Sequence, residues 1–167
     1  MTHSPADAGK TTPAVEDGIE MCSVRVGHTL FGIPIMRILE ILHAPATRPV
    51  PLAPPHIGGL VHYRGEILTA VSFRNLLALP SHDTPPDLLV FDTKDGEGLD
   101  GYFGLLVDTV GEVLTVSCQE FEPNPSTLED NRKALFAGAY KLNGGLLVVL
   151  DPVRFDPVRL SQVQLAR

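Results

Sequence analysis

An all-β fold of two packed five-stranded barrels is what these 167 residues predict. Three observations carry the prediction: a module that occurs twice, ten short apolar runs, and turn residues between the runs. "FGIPIMRILEIL" (residues 31–42) lines up without a gap on "FGLLVDTVGEVL" (residues 103–114), pairing Phe31 with Phe103, Gly32 with Gly104, Glu40 with Glu112 and Leu42 with Leu114. "IGGLVHYRGEILTAVSFRNLL" (residues 57–77) matches "FAGAYKLNGGLLVVLDPVRF" (residues 136–155), pairing Gly59 with Gly138 and Gly65 with Gly144. The offset is 72 residues for the first pair and 79 for the second, so the later copy carries seven extra residues, which a loop tolerates. Each copy is near the lower size limit for an independent core. The repeats, with cores at 31–77 and 103–155, are therefore expected to form two subdomains sharing an interface within one domain at 19–160.

The elements follow in order. Residues 1–18 are rich in Pro, Ala, Thr, Gly and Asp without hydrophobic period, and are expected to be a disordered tail. Apolar runs then recur at 21–26, 29–33, 35–42, 57–63, 66–73, 88–92, 102–107, 111–116, 137–142 and 145–150, each read as a strand. Asn143-Gly144 predicts a type I′ hairpin turn, because both of its central positions need positive φ; the aligned turn in copy one is Arg64-Gly65. Asp95-Gly96 reads as the loop joining 88–92 to 102–107. "APATRPVPLAPP" (residues 44–55) holds five prolines and predicts an extended connector. "SFRNLLALP" (residues 72–80) predicts a short helix, and "DPVRFDPVRL" predicts helix starts at Asp151-Pro152 and Asp156-Pro157. Residues 161–167 are left as a C-terminal tail or helix end.

Composition excludes several function classes. A net charge of −7 disfavours nucleic acid and anionic membrane, which need a cationic footprint. No run has the length of a signal peptide's apolar core or of a membrane span, so a cytoplasmic protein is expected. Cys22 and Cys118 are far apart in apolar or strand-like settings and read as reduced packing residues. His3, His28, His43, His56, His62 and His82 show no metal-pair spacing. In "DTKDGEGLD", Asp92, Asp95, Glu97 and Asp100 lack a calcium loop's terminal glutamate, and Lys94 stands where an oxygen ligand belongs. Ser23, Ser72 and Ser117 lack the flanking glycines of a nucleophile elbow, and Cys118 has a packing explanation. "GLDGYFG" and "PPHIGGL" carry neither a P-loop lysine nor the dinucleotide pattern. No catalytic residue, cofactor site or metal site is expected. The competing class is a small-ligand binder or enzyme using the cleft between the barrels.

Two residues ask for more than a structural account. Arg64 takes a turn position where Asn or Gly supplies positive φ more cheaply, and its guanidinium can reach a carboxylate or carbonyls on a partner. Glu40, like Glu112 in copy two, sets a carboxylate between apolar neighbours on a strand, a groove or edge position.

These residues carry a resemblance. "FGIPIMRILEIL", "PVPLAPPHIGGLVHYRGEILTAVSFRNLL", "YFGLLVDTVGEVL" and "FAGAYKLNGGLLVVLDPVRF" together resemble the CheW family of chemotaxis coupling proteins, in one collinear order from about Met21 to about Leu160. The resemblance implies two SH3-like barrels, as in the regulatory domain of the CheA histidine kinase. It also implies a non-catalytic adaptor that bridges chemoreceptor cytoplasmic tips to that kinase, receptor helices using the inter-barrel groove and barrel ends joining kinase regulatory domains in rings. Carried over by position, the partner-binding residues are Ile38, Glu40, Gly59 and Arg64. The chain departs from the pattern at His62-Tyr63, where the family has Asn-Leu, and at Ser72-Phe73, where it has Asp-Leu. Ser72 can still cap the following helix, with less charge than an aspartate.

Overall fold

Eleven strands and two short helices account for most of the described residues of the computed structural model, 18–93, 101–128 and 133–165. The chain runs β1 (Gly18–Val26), β2 (Thr29–Pro34), a 3-10 turn (Ile35–Arg37), β3 (Glu40–Leu42), β4 (Ile57–Tyr63), β5 (Glu66–Ser72) and α1 (Phe73–Leu76). It continues as β6 (Asp87–Asp92), β7 (Tyr102–Val107), β8 (Thr109–Ser117), β9 (Phe121–Glu122), β10 (Phe136–Leu142), β11 (Gly145–Leu150), a 3-10 turn (Pro152–Phe155) and α2 (Pro157–Leu165). The mostly-β class and the short helices stand as predicted. One sheet has the order β8-β1-β2-β11-β10-β9 and the other β3-β6-β7-β5-β4; the sixth strand of the larger sheet, β9, has only two residues.

Each sheet draws its strands from both repeats. The β1–β2 hairpin of copy one is flanked by β8 and the β10–β11 hairpin of copy two, and the β6–β7 hairpin of copy two is flanked by β3 and the β4–β5 hairpin of copy one. The exchange holds to the residue. In the parallel pairs, Phe31 faces Val148 and Phe103 faces Thr69; Gly32 faces Val149 and Gly104 faces Ala70. Those partners are related by the same offsets of 72 and 79 that relate the repeats. Neither copy can complete its own ladder, so the two fold as one unit.

The core is layered accordingly. The largest cluster lies between the sheets and takes Val24, Phe31 and Ile33 from one, Val71, Leu89, Phe91, Phe103 and Leu105 from the other, and Phe73 and Phe155 from the segments after β5 and β11. Phe31 meets Phe73 at 4.7 Å and Phe136 at 5.8 Å, and Phe73 meets Phe155 edge-on at 5.2 Å. Such offset and edge contacts add about 0.5–1.5 kcal/mol per pair beyond area burial. Each sheet also covers a smaller cluster on its other face: Val61, Leu68, Ala70 and Leu88 in one, and Tyr140, Leu147, Val149 and Met21 in the other. At Gly32 and Gly104 an added Cβ would lie 2.7 Å from Leu147 and 2.5 Å from Leu88, so both glycines let a leucine lie flat on the strand.

The structure corrects several local expectations. The 35–42 run is not one strand: with Pro34 and no apolar alternation it forms the 3-10 turn, then the three residues of β3. At the hairpin tips the turn chemistry is inverted, since Arg64 (φ 50°) and Gly65 (φ 79°) both adopt the left-handed region, whereas in the Asn143-Gly144 turn only Gly144 (φ 86°) does. The proline-rich connector is not extended throughout. Ala53 N–H donates to the Val50 carbonyl at 3.3 Å, closing a turn with Pro51 and a left-handed Leu52, and Arg48 exchanges two backbone hydrogen bonds with Leu60. Cys22 is buried, with its thiol pKa pushed up by burial, but Cys118 opens an exposed 3-10 turn instead of packing. Gly18 begins β1, and the remainder of the 1–18 tail, like the Asp95-Gly96 loop, lies outside the described residues. Ser72 does cap α1: its Oγ accepts from Asn75 N–H at 3.2 Å, as Asp151 Oδ1 accepts from Val153 N–H at 3.2 Å in copy two.

Candidate functional site

Glu40 and Arg64 meet. Glu40 opens β3 and Arg64 occupies the β4–β5 turn, at opposite ends of the five-stranded sheet order, so their contact requires that sheet to curl back on itself. Arg64 Nη2 donates to Glu40 Oε1 at 3.2 Å, and the Tyr63 hydroxyl reaches the same oxygen at 3.4 Å. The Arg64 guanidinium also lies 5.1 Å from the centre of the Tyr63 ring, within cation–π range. Tyr63 is itself held edge-on by Tyr102 at 5.0 Å. Burial pushes the Tyr63 phenol pKa up; the Arg64 charge opposes that rise and Glu40 adds to it, so the hydroxyl stays protonated and donates.

The side chains of Arg64 and Glu40 are 65% and 38% exposed, so the pair is a surface feature and contributes little to stability. Holding Arg64 left-handed costs more, about 1 kcal/mol for a residue with a Cβ. A strained backbone that displays an ion pair of small stabilising value suits an interaction role.

The other two candidates are placed differently. Ile38 is half-buried against the inter-sheet core, two residues before Glu40 and between the exposed Met36 and Leu39. Gly59 sits at a bulge in the β4–β5 ladder with φ 147°, where an added Cβ would lie 2.6 Å from the Arg48 carbonyl oxygen. Its role is to let the connector lie on β4, which positions the strand carrying Tyr63. Tyr63, which the sequence marks as a departure from the family pattern and not as a site residue, is the third member of the corner.

Copy two keeps the framework and lacks the corner. Gly138 repeats Gly59, with φ 144° and a Cβ position 2.7 Å from the Glu122 carbonyl oxygen. Leu142 and Asn143 stand where copy one has Tyr63 and Arg64, and among the described residues Glu112 has no ion-pair partner. Glu112 instead lines a shallow cavity of about 270 Å³ between β1 and β8 with Val24, Arg25, Leu30 and Leu114. Among the described residues no three His, Cys, Asp or Glu side chains converge on a metal-sized site. Each described histidine that meets a carboxylate meets a single one, His43 with Asp87 at 3.4 Å and His82 with Asp108 at 3.3 Å, and Asp108 is already held by Arg74 at 2.6 Å and by the Gly27 N–H at 2.8 Å.

Residues 20–155 match the family model described as a CheW-like domain. The chain is 30% identical over 138 residues to the chemotaxis protein CheW of Rhizobium meliloti (strain 1021), covering 81% of this chain and 87% of that one. It is 26% identical over 145 residues to the chemotaxis protein CheW of Helicobacter pylori, covering 87% and 86%. In fold it resembles the crystal structure of the scaffolding protein TtCheW from Thermoanaerobacter tengcongensis, with a TM-score of 0.69 and 19% identity over 80% of this chain and 89% of the other.

Proposed function

Because this chain belongs to the CheW-like family, we propose that it is a non-catalytic chemotaxis adaptor, coupling chemoreceptor cytoplasmic tips to a CheA-type histidine kinase, and that the Glu40–Arg64 corner contacts the kinase regulatory domain. The observation that carries the site assignment is the convergence of Glu40 and Arg64, two residues picked out separately in the sequence, on one exposed edge. Ile38, two residues before Glu40, is a half-buried apolar residue packed on the inter-sheet core, and Gly59 sets the strand that presents the pair. An exposed pair with an apolar neighbour is the chemistry of an interface rim and anchor, not of a reacting centre. The functional domain in this reading is 19–160, two SH3-like barrels with strands exchanged between repeats, working in the cytoplasm; residues 1–18 and 161–167 lie outside it. No helix among the described residues is long and apolar enough to cross a membrane.

The test is complex formation between the purified protein, a chemoreceptor cytoplasmic fragment and a CheA-type kinase. Glu40→Ala and Arg64→Ala are each expected to weaken the kinase contact by about tenfold, the effect of removing an interface anchor. Parent-like binding by both variants would refute the site assignment and leave the family membership intact.

A further inference from the structure

We propose that Tyr63 is a positioning residue for the partner surface, holding the Arg64 guanidinium in its binding orientation before the partner arrives. The inference rests on the reading that the Glu40–Arg64 corner is that surface. Tyr63 is 4% exposed, so a partner meets little of it directly, yet it touches both members of the pair. Its hydroxyl donates to the Glu40 oxygen that accepts from Arg64, and its ring lies under the guanidinium. Tyr102 packs edge-on against the ring at 5.0 Å and opposes its displacement.

Arginine is long and flexible, and ordering it on binding has an entropic cost that a preordered side chain avoids. Three restraints act on Arg64: the left-handed turn fixes its Cα–Cβ direction, Glu40 fixes one nitrogen, and Tyr63 supplies a platform. Leu142 replaces the tyrosine and Asn143 the arginine in copy two, and no ion pair forms there among the described residues although Glu112 is retained.

The experiment compares Tyr63→Leu, Tyr63→Phe and Arg64→Ala in binding to a CheA-type kinase regulatory domain, and follows the Arg64 Nε–Hε order by NMR relaxation in the free proteins. Tyr63→Leu removes platform and hydroxyl and is expected to weaken binding by about fivefold to tenfold while loosening Arg64. Tyr63→Phe keeps the buried ring, so folding is preserved, and is expected to weaken binding by about twofold to threefold through loss of one long hydrogen bond. In the Arg64→Ala background both tyrosine changes should lose their effect on binding, which a tyrosine acting only through the fold would not show. If Arg64→Ala weakens binding but both tyrosine variants bind like the parent, the positioning role is overturned and the surface stands. Should Arg64→Ala itself bind like the parent, the surface reading fails. The positioning role then falls with it, because no partner would meet the side chain that Tyr63 holds.

Discussion

The two hairpin tips of this molecule share a framework and differ in what they display. Gly59 and Gly138 sit at equivalent bulges with φ within a few degrees of one another, 147° and 144°, and each lets an outer segment lie on its strand, Arg48 opposite Leu60 and Glu122 opposite Ala139. Beyond the bulges the copies diverge. Copy one ends in Tyr63-Arg64 with Arg64 left-handed and paired to Glu40, whereas copy two ends in Leu142-Asn143 with Glu112 unpaired among the described residues. The bulge glycines that both copies share serve the fold, and the Tyr63-Arg64 pair that copy one alone holds, at a cost in backbone strain, is the better candidate for function.

The largest expected effect probes the shared part. Gly59→Val and Gly138→Val each force a β-branched residue into positive φ with its Cβ against a backbone carbonyl. Each should lower unfolding free energy by more than about 3 kcal/mol in urea titrations, and a large loss in only one copy would break the equivalence.

Next is a position where the copies differ inside the fold. His56 is 2% exposed with neither ring nitrogen hydrogen-bonded, and its counterpart 79 residues on is Leu135. Burial lowers the His56 pKa below its ordinary 6.5. Below pH 6.5 the unfolded chain takes up a proton that the folded imidazole refuses, so the stability present above that pH is lost as pH falls toward the folded pKa. His56→Leu should stabilise the protein at pH 7 by about 1–2 kcal/mol and flatten the decline of thermal midpoint between pH 7 and 5. An unchanged pH slope would show that His56 is not the titrating group.

A smaller change sharpens the contrast at the tips. Arg64→Gly relieves a left-handed residue, and after loss of the exposed ion pair should still raise stability by about 0.5 kcal/mol while weakening kinase binding. Asn143→Gly relieves nothing and should leave both unchanged within about 0.5 kcal/mol. Opposite signs for stability and binding at Arg64 are the mark of a residue kept for a partner; matching signs would make it an ordinary turn residue.

Much of this was legible from residues alone. The offsets of 72 and 79 foretold equivalent elements, and the parallel registers Phe31–Val148 and Phe103–Thr69 follow them to the residue. That the repeats exchange hairpins was not legible, because a repeat relates like positions and does not say which copy supplies a strand's neighbour. Glu40 and Arg64 stood out separately by residue type, but their meeting depends on the curl of a five-stranded sheet, which no local pattern encodes. The turn inversion was not legible either: Asn-Gly favours a type I′ turn, yet the left-handed pair falls on Arg64-Gly65, which nothing in the structure explains. The split of the 35–42 run came from Pro34 and the crossing between sheets, a tertiary demand on an apolar segment.

The most direct test sets the two tips side by side: the affinity of a CheA-type kinase regulatory domain for Arg64→Ala and for Asn143→Ala. A loss of about tenfold for Arg64→Ala with Asn143→Ala within twofold of the parent is the predicted result. Equal affinities for the two variants would contradict the assignment of the partner surface to copy one.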